Sequence, residues 1–537
     1  MPAVPSATPR LNMPNTHPIL IDGQWRPATV TDTFTATDPR TRQPLPDAYP
    51  VSGWADLDAA LAAAASTVPE MRSAGERIAT FLDAYAAGIE SAAEGIVAAA
   101  AAETGLAPSP RLRDVELPRT TGQLRQAATA AREGSWQRPT IDTKAGLRSC
   151  LAPLGVVWTI GPNNFPFAYN GIAGGDFAAA LAAGCPVIAK GHPLHPTTTR
   201  LLAEAAHAAA TSAGLPAGAV QMVYHLTPDD GRRLVADPRL AAVGFTGSRA
   251  GGLALKAAAD AAGKPFFGEM SSLNPVVILP GAVAANADAI ADQLAASVTL
   301  GTGQFCTKPG LVFSIASAAT EAFVAQMKAK LSAAPAGVLF SAAGQAGLLK
   351  SIETVRAAGA TVLAGGTARD QGGFGAANTL LVASGSAFMK DPHTFQTEAF
   401  GNATLLVVAD DRGQLLSLLK ALDGNLTGSV YSAADGSDDA AYAEVAAVLR
   451  PRVGRLMNDK MPTGVAVSPA QQHGGPYPAS SQPHFTAVGM PTSIARFTQL
   501  EAYDNVRPDR LPPCLRDRNP TGRMWRMVDG NWTQADL

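Results

Sequence analysis

Between Leu154 and Gly263 the chain switches repeatedly between strand-like and helix-like periodicity, and that alternation leaves few folds open to it. The run "LGVVWTIG" gives way to helical "GIAGGDFAAALAAG", and "CPVIAKG" to "TTTRLLAEAAHAAATSAG". In the same way "AVQMVYH" precedes "PDDGRRLVAD", and "LAAVGFTGS" precedes "RAGGLALKAAADAAG". Strands separated by whole helices cannot pair as hairpins, so four such units predict a parallel sheet with helices on both faces. A sheet of this kind takes its ligand at the carboxyl ends of its strands. The turns after "WTIG", "IAKG" and "FTGS" are therefore the expected seat of chemistry.

The flanking sequence is organised differently. Residues 56 to 134 read as helices, with Gly105 and Gly134 standing where helix ends would be capped. "WQRPTIDTKAGLRSC", 136 to 150, is polar with β-branched residues and reads as a hairpin arm. After "PFFGEMSSLNPVVILPGA" and the helical "ADAIADQLAASVTLG", the runs "GLVFSI", "TEAFVAQMKAKLS" and "ATLLVVADD" suggest a second α/β lobe. From about Thr486 the Pro- and Arg-rich sequence reads as an extended tail lying on the surface.

Composition removes several function classes. A chain of 537 residues is long enough for roughly three or four domains or lobes. With 47% hydrophobic and 16% charged residues, it fits a soluble globular protein. A net charge of -2 without long charge runs asks for neither nucleic acid nor an acidic membrane surface. The opening "MPAVPSATPRLNMPNTHP" lacks the apolar core of a signal peptide and reads, over 1 to 16, as a disordered leader. Apolar runs such as "GIVAAAAAE" fall far short of the roughly 18 residues a membrane helix needs. Four cysteines, with no C-x-x-C spacing, argue against a zinc knot or a disulfide framework and point to a reducing, cytoplasmic setting.

Chemistry-bearing residues fall near the strand ends. Cys306 lies in "GTGQFCTKPG", where glycines and a proline would interrupt any packed element. A lone cysteine is more often a small buried hydrophobe, but an open backbone suits a thiol that must meet a substrate. Glu269 follows apolar "KPFFG", where burial would raise its pKa and make it a general base; a surface strand end is the blander reading. In "TIGPNNFPFAYN", Asn163 and Asn164 stand between prolines, as in an ordinary turn or in a rigid loop that offers an amide N–H to an oxyanion. Gly247 and Gly252, in "GFTGSRAGG", are spaced to bring backbone amides to a pyrophosphate at a helix N-terminus, although the spacing departs from G-x-G-x-x-G.

Taken in order, these segments resemble the aldehyde dehydrogenase superfamily over nearly the whole chain. "GPNNFPF" looks like its asparagine loop, "VIAKGHP" like its cofactor-lysine strand ending in Lys190, and "FTGSRAGG", with Ser248, like its glycine turn. "GEMSSLNP" is similar to its glutamate motif and "GQFCTKPG" to its cysteine motif. "QTEAFGN", with Glu398 and Phe400, is similar to the segment that holds the nicotinamide ribose. Within the superfamily the chain most resembles the 2-oxoglutarate semialdehyde (2,5-dioxopentanoate) dehydrogenases and their NADP-linked fatty-aldehyde relatives. The carriers are "GGDFAAALAAGCPVIAKGHPLHP", "GQFCTKPGL", "HGGPYPASS" and the tail "YDNV…LPPCLRDRNPTG…WRMVDGNWT". Asn163 departs from the pattern, since many members carry tryptophan before the amide asparagine.

The resemblance implies a doubly wound dinucleotide-binding domain over 17–135 and 151–268, and a catalytic α/β domain over 269–485. It also implies an oligomerisation arm and tail over 136–150 and 486–537. Cys306 would attack the aldehyde, Asn164 would steady the oxyanion and Glu269 would activate the hydrolytic water. Lys190, Gly247, Ser248, Gly252, Glu398 and Phe400 would hold the cofactor. In NAD-preferring relatives a glutamate typically lies three positions after the strand-end lysine, whereas Pro193 stands there in this chain. NADP is therefore expected, with NAD possible, and Lys190, His192 or Arg249 would meet its phosphate. The implied substrate is 2-oxoglutarate semialdehyde, with fatty or aromatic aldehydes as the alternative. No metal is implied. A thiol hydrolase pairing Cys306 with His192, His195 or His225 is a competing reading, as is a silent nucleotide binder; an intact Glu269 argues against a CoA-acylating enzyme. Unpaired edges on the 136–150 arm suggest a homodimer or homotetramer.

Overall fold

The computed structural model describes residues 16–369, 372–484 and 486–537. The leader expected over 1 to 16 thus lies outside the described residues, save for Thr16. Two seven-stranded sheets and one five-stranded sheet organise the rest.

The first sheet is built from the alternating region. In spatial order its strands are Phe266–Glu269, Leu240–Thr246, Val156–Ile160, Val187–Lys190 and Val220–Val223, all parallel. Ile19–Ile21 and Gln24–Arg26 then add an antiparallel hairpin to the far edge. Successive units run outward from Val156–Ile160 on one side and then jump to its other side. The turns on either side of that reversal diverge and leave a crevice beyond the strand ends. Val187, Ile188 and Ala189 are fully buried, as continuous aliphatic runs in a sheet covered on both faces must be. In the helix Gly175–Ala182 every residue except Asp176 is buried, and its alanines let it lie close against the sheet.

The second sheet runs Thr361–Ala364, Thr379–Ser384, Ala403–Ala409, Leu311–Ile315, Val276–Ile278, Asn425–Tyr431 and Val453–Asn458. Only Thr361–Ala364 is antiparallel to its neighbour. The expected helices over 56 to 134 form, and Gly105 and Gly134 end two of them in the left-handed conformation at φ 70° and 78°. The stretch before Gly105 forms two helices, Gly75–Ser91 and Ala93–Thr104, which meet at Ala92. Among the described residues, no helix is long and apolar enough to cross a membrane.

Two expectations about the arm and tail need correction. The tail does not simply lie on the surface: Val488, Met490, Ile494 and Phe497 are buried, and the last three belong to the core of the first sheet. Nor are the edges of the arm left open. Leu147–Pro153 pairs with Thr498–Asp504, and Thr140–Asp142 pairs with Arg526–Val528, giving a five-stranded sheet that Asn531–Thr533 completes. The free edges are therefore Thr498–Asp504 and Asn531–Thr533. Apolar residues scattered singly among prolines and arginines carry no period, which is why the tail reads as extended chain.

Arg526, fully buried, pins this sheet by donating to the carbonyls of Arg516, Asp517 and Ala535. Arg526→Met would keep most of the volume but leave three carbonyls without their donor, at a cost of about 3 kcal/mol. The expected result in scanning calorimetry is a lowered unfolding midpoint. An unchanged midpoint would mean that the tail adds nothing to stability.

Candidate active site

The crevice beyond the first sheet is a cavity of about 460 Å³, closed on its other side by loops of the second sheet. Asn164, Lys190, Gly247, Ser248, Glu269, Cys306, Glu398 and Phe400 all line it, together with Asn163 and Pro193. Gly252 is not among these lining residues. It lies in the first turn of the helix Arg249–Ala261, where an added Cβ would fall 2.9 Å from the Met270 sulfur and 3.0 Å from the Phe245 ring. Its missing side chain serves helix packing, and the glycine that faces the cavity is Gly251. Ser248 caps this helix by accepting from the Gly251 amide at 3.3 Å.

The glycines around Cys306 have a role the sequence reading did not assign. After the helix Pro280–Thr299, Gly301, Thr302 and Gly303 all take left-handed φ, 55°, 59° and 67°. A run of such residues is costly for any side chain with a Cβ. A Cβ on Gly303 would also lie 2.2 Å from the Gly401 carbonyl oxygen. The glycines thus seat the cysteine turn directly on the backbone of the loop that carries Glu398 and Phe400.

Three side chains then lock the turn. The Asn274 amide donates to the carbonyls of Cys306 and Lys308 at 2.8 and 2.9 Å. The Lys308 ammonium, buried, donates to the carbonyls of Ala399 and Ala403 at 2.9 and 2.7 Å. Asn164, buried, gives one amide hydrogen to the Gln304 carbonyl at 3.0 Å. Asn274 and Lys308 were not singled out from sequence, and the only local signal is that each precedes a proline.

A histidine completes the group. His473 Nε2 lies 3.5 Å from Cys306 Sγ and 3.5 Å from Glu269 Oε1. The histidines nominated from sequence sit elsewhere: His192 lines the cavity beside Lys190, and His195 Nε2 is 3.1 Å from the Pro162 carbonyl oxygen. His225 packs against Phe34. His473 lies in "HGGPYPASS", a Gly/Pro-rich stretch like that around Cys306, and this is the signal that could have marked it.

Burial sets the protonation states. It raises the Glu269 carboxyl to about 8, helped by Asp176 and opposed by Arg496, the nearby Cys306 thiol and Arg119. Both Glu269 oxygens are buried without a hydrogen-bond partner. Burial also pushes the Cys306 thiol well above its ordinary value, with Glu269 adding to the shift and Arg119 opposing it. His473 is held down at about 3, first by burial and then by Arg119 and Arg455. Thiol and imidazole are thus neutral at rest, and the carboxyl is largely protonated at neutral pH.

The chain matches the model of the aldehyde dehydrogenase family over residues 25–475. It is 38% identical to alpha-ketoglutaric semialdehyde dehydrogenase 2 of Azospirillum brasilense over 518 residues, covering 93% of this chain and 96% of that protein. It is 37% identical to an alpha-ketoglutaric semialdehyde dehydrogenase of Acinetobacter baylyi over 472 residues, covering 85% of this chain and 87% of that one. Among solved structures, a mutant of aldehyde dehydrogenase C from Pseudomonas syringae, in complex with NAD+ and octanal, superposes with a TM-score of 0.78 at 20% identity. That alignment covers 94% of this chain and 100% of that chain. PnpE in complex with nicotinamide adenine dinucleotide gives a TM-score of 0.77 at 22% identity over 92% of this chain and 99% of that chain. Fold, motifs and similarity over nearly the full length agree: the chain belongs to the aldehyde dehydrogenase family.

Proposed function

We propose that the protein oxidises 2-oxoglutarate semialdehyde to 2-oxoglutarate with NADP, through a covalent intermediate on Cys306. The observation that carries the reaction is the convergence of Cys306, His473 and Glu269 beside the Asn164 amide. The substrate assignment rests on the two alpha-ketoglutaric semialdehyde dehydrogenases above, which match most of the chain.

Cys306 Sγ attacks the aldehyde carbon, and its proton passes to the ionised fraction of Glu269, whose carboxyl titrates near 8 and lies within 4.8 Å of the sulfur. His473, too weakly basic to take that proton, packs against both. The alkoxide of the resulting thiohemiacetal is met by the second amide hydrogen of Asn164, the first being held by Gln304. A bound nicotinamide supplies the acceptor for the hydride that leaves the thiohemiacetal carbon. Glu269, having released its first proton to solvent, takes another from the water that cleaves the thioester and passes it to the departing sulfur, so that Cys306 leaves as the thiol. Because Glu269 titrates near 8, its carboxylate fraction grows as the pH rises through that value.

Cofactor reduction followed with purified enzyme tests this reading. Turnover with the semialdehyde should exceed that with hexanal and benzaldehyde in kcat/KM, rise with pH towards a plateau above about 8, and vanish in Cys306→Ala. Wild-type turnover in that variant would overturn the mechanism. A clear preference for an uncharged aldehyde would overturn the substrate.

The residues fit a nicotinamide dinucleotide. The amino end of the helix Arg249–Ala261 faces the cavity through Ser248 and Gly251, a favourable seat for a pyrophosphate. Lys190, held at about 8 by burial, bonds only the Gly191 carbonyl among the described residues. Glu398, with its pKa raised by burial, and Phe400 stand at the opposite wall to hold the nicotinamide ribose. Of the cations first considered for the 2′-phosphate, His192 is kept neutral by burial and by neighbouring cationic groups, and Arg249 faces Asp423 at 3.7 Å. Lys190 is left to meet the phosphate, and Pro193 brings no opposing charge. A carboxylate in place of Pro193 would repel the phosphate by about 4 kcal/mol at 4 Å and an effective dielectric of 20. NADP should accordingly give the higher kcat/KM at one saturating aldehyde, and Pro193→Glu should move selectivity towards NAD. A tenfold advantage for NAD in the wild type would overturn the assignment.

The reading includes a homo-oligomer in the reducing cytoplasm, where the four thiols, all free, stay reduced. The edge strand Thr498–Asp504 and exposed Leu147, Leu500 and Trp532 on the same sheet, with exposed Trp525 just before the strand Arg526–Val528, favour self-association. Light scattering at micromolar concentration should return a multiple of 55.0 kDa; a monomer would contradict it.

A further inference from the structure

An oxo acid brings a second charged end into the site, and the catalytic group does not say what receives it. On the side of Cys306 formed by Phe165, Tyr169 and Phe305, packed edge to face, three guanidinium groups gather. Arg111 is spoken for: it pairs with the fully buried Glu116, which also accepts from the amides of Phe167 and Ala168. Arg496, behind Glu269, pairs with Asp176 at 2.6 Å. Lys308 is spent on backbone carbonyls.

Arg119 and Arg455 differ. Among the described residues neither has a carboxylate partner. Arg119 donates to the Val465 carbonyl at 2.6 Å and to the Tyr169 hydroxyl at 3.1 Å. Arg455 donates to the carbonyls of Pro462, at 3.1 Å, and Gly464, at 3.4 Å. The two side chains thus grip one loop from either side, and the Nε of each is buried without a partner. A short path connects them to the chemistry. Tyr169, bonded by Arg119, sets its ring edge-on against His473 at 5.7 Å, and His473 touches Cys306. Both arginines also help to hold the pKa of His473 down.

We propose that Arg119 and Arg455 together receive the carboxylate at the far end of the aldehyde substrate. The inference rests on the semialdehyde reading above and names the residues that enforce it. A guanidinium meets a carboxylate through parallel N–H donors, and the unfilled Nε–H of each arginine is the donor such a ligand would take. The aromatic trio packs the intervening carbons while the loop carbonyls keep the guanidinium planes fixed. Selection then works by default: an uncharged aldehyde of the same length leaves two half-buried cations, each with its Nε–H buried and unpaired, without an answer, which a polar receptor penalises.

The test compares 2-oxoglutarate semialdehyde with pentanal, which has the same number of carbons, in wild type, Arg119→Gln, Arg455→Gln and Arg119→Lys. The ratio of kcat/KM for the two aldehydes should fall about 100-fold in each glutamine variant, mostly through KM. Arg119→Lys, which keeps charge but loses the fork, should fall in between, and it carries the reading if Arg119→Gln does not fold. An equal loss with both aldehydes would assign the arginines a structural role and overturn the proposal, while leaving the wild-type preference intact. Competition by glutarate against pentanal separates the two levels of inference. Glutarate should compete in the wild type and fail in Arg119→Gln. Should the wild type prefer pentanal yet show this competition, the receptor stands and the substrate assignment falls. Should glutarate not compete at all, the receptor falls as well.

Discussion

The close contact between Gly303 and Gly401 is the constraint on which the site depends. It presses the turn before Cys306 onto the turn after Glu398, at a distance no side chain at position 303 could tolerate. Everything that must meet the substrate is referred to this junction. Lys308 ties it from within, Asn274 from the segment between the sheets, and Asn164 from the first sheet. The left-handed backbone at Gly301, Thr302 and Gly303 is the local cost, and many small bonds offset it. An enzyme that must hold a thiol, an amide and a carboxyl in fixed register across two sheets gains from such a brace, because misplacement of a reacting group is expensive.

Much of this was legible in the sequence, for identifiable reasons. The strands of the first sheet carry continuous aliphatic runs because both faces are covered, and their turns carry glycine, asparagine and lysine because backbone and side chains must open there. Glu269 was legible as the last residue of a buried strand. His473 was not: its contact with Cys306 spans 167 positions, and a histidine among glycines and prolines reads as an ordinary loop residue. Asn274 and Lys308 were hidden for a related reason. The groups they hold in and around the cysteine turn are main-chain carbonyls, which any residue provides, and the Thr427 hydroxyl that bonds the Asn274 oxygen lies 153 positions away.

Gly252 and the tail show the opposite case, where a pattern says less than the place it takes in the fold. Gly252 fitted a spacing for phosphate contact, yet the space it leaves is filled by Met270 and Phe245. A glycine marks close approach without saying to what. The tail lacks any period because its apolar residues each drop into a different gap, in the first core at Phe497 and in the small arm core at Leu511 and Leu515.

Charge in the site is divided so that the reacting group itself stays uncharged at rest. An ionised Glu269 raises the Cys306 pKa, so a permanently charged carboxylate would oppose the thiolate needed in the first step. Burial eases that conflict by raising the Glu269 carboxyl, so that a carboxylate which takes the thiol proton becomes neutral beside the sulfur anion it leaves. On the proposed mechanism, once sulfur is committed to a thioester no sulfur anion remains to be repelled, and ionisation of Glu269 becomes compatible with the water activation assigned to it. The cations stand outside this neutral group, Lys190 on the cofactor side and Arg119 with Arg455 on the other. Among the described residues none of the three pairs with a carboxylate, and on the proposed mechanism their positive fields favour the oxyanion. On the proposed reading the anionic ends of the two ligands neutralise those cations on arrival. The full stabilising geometry, with both cofactor and oxo acid in place, would then be reached only when reaction is possible.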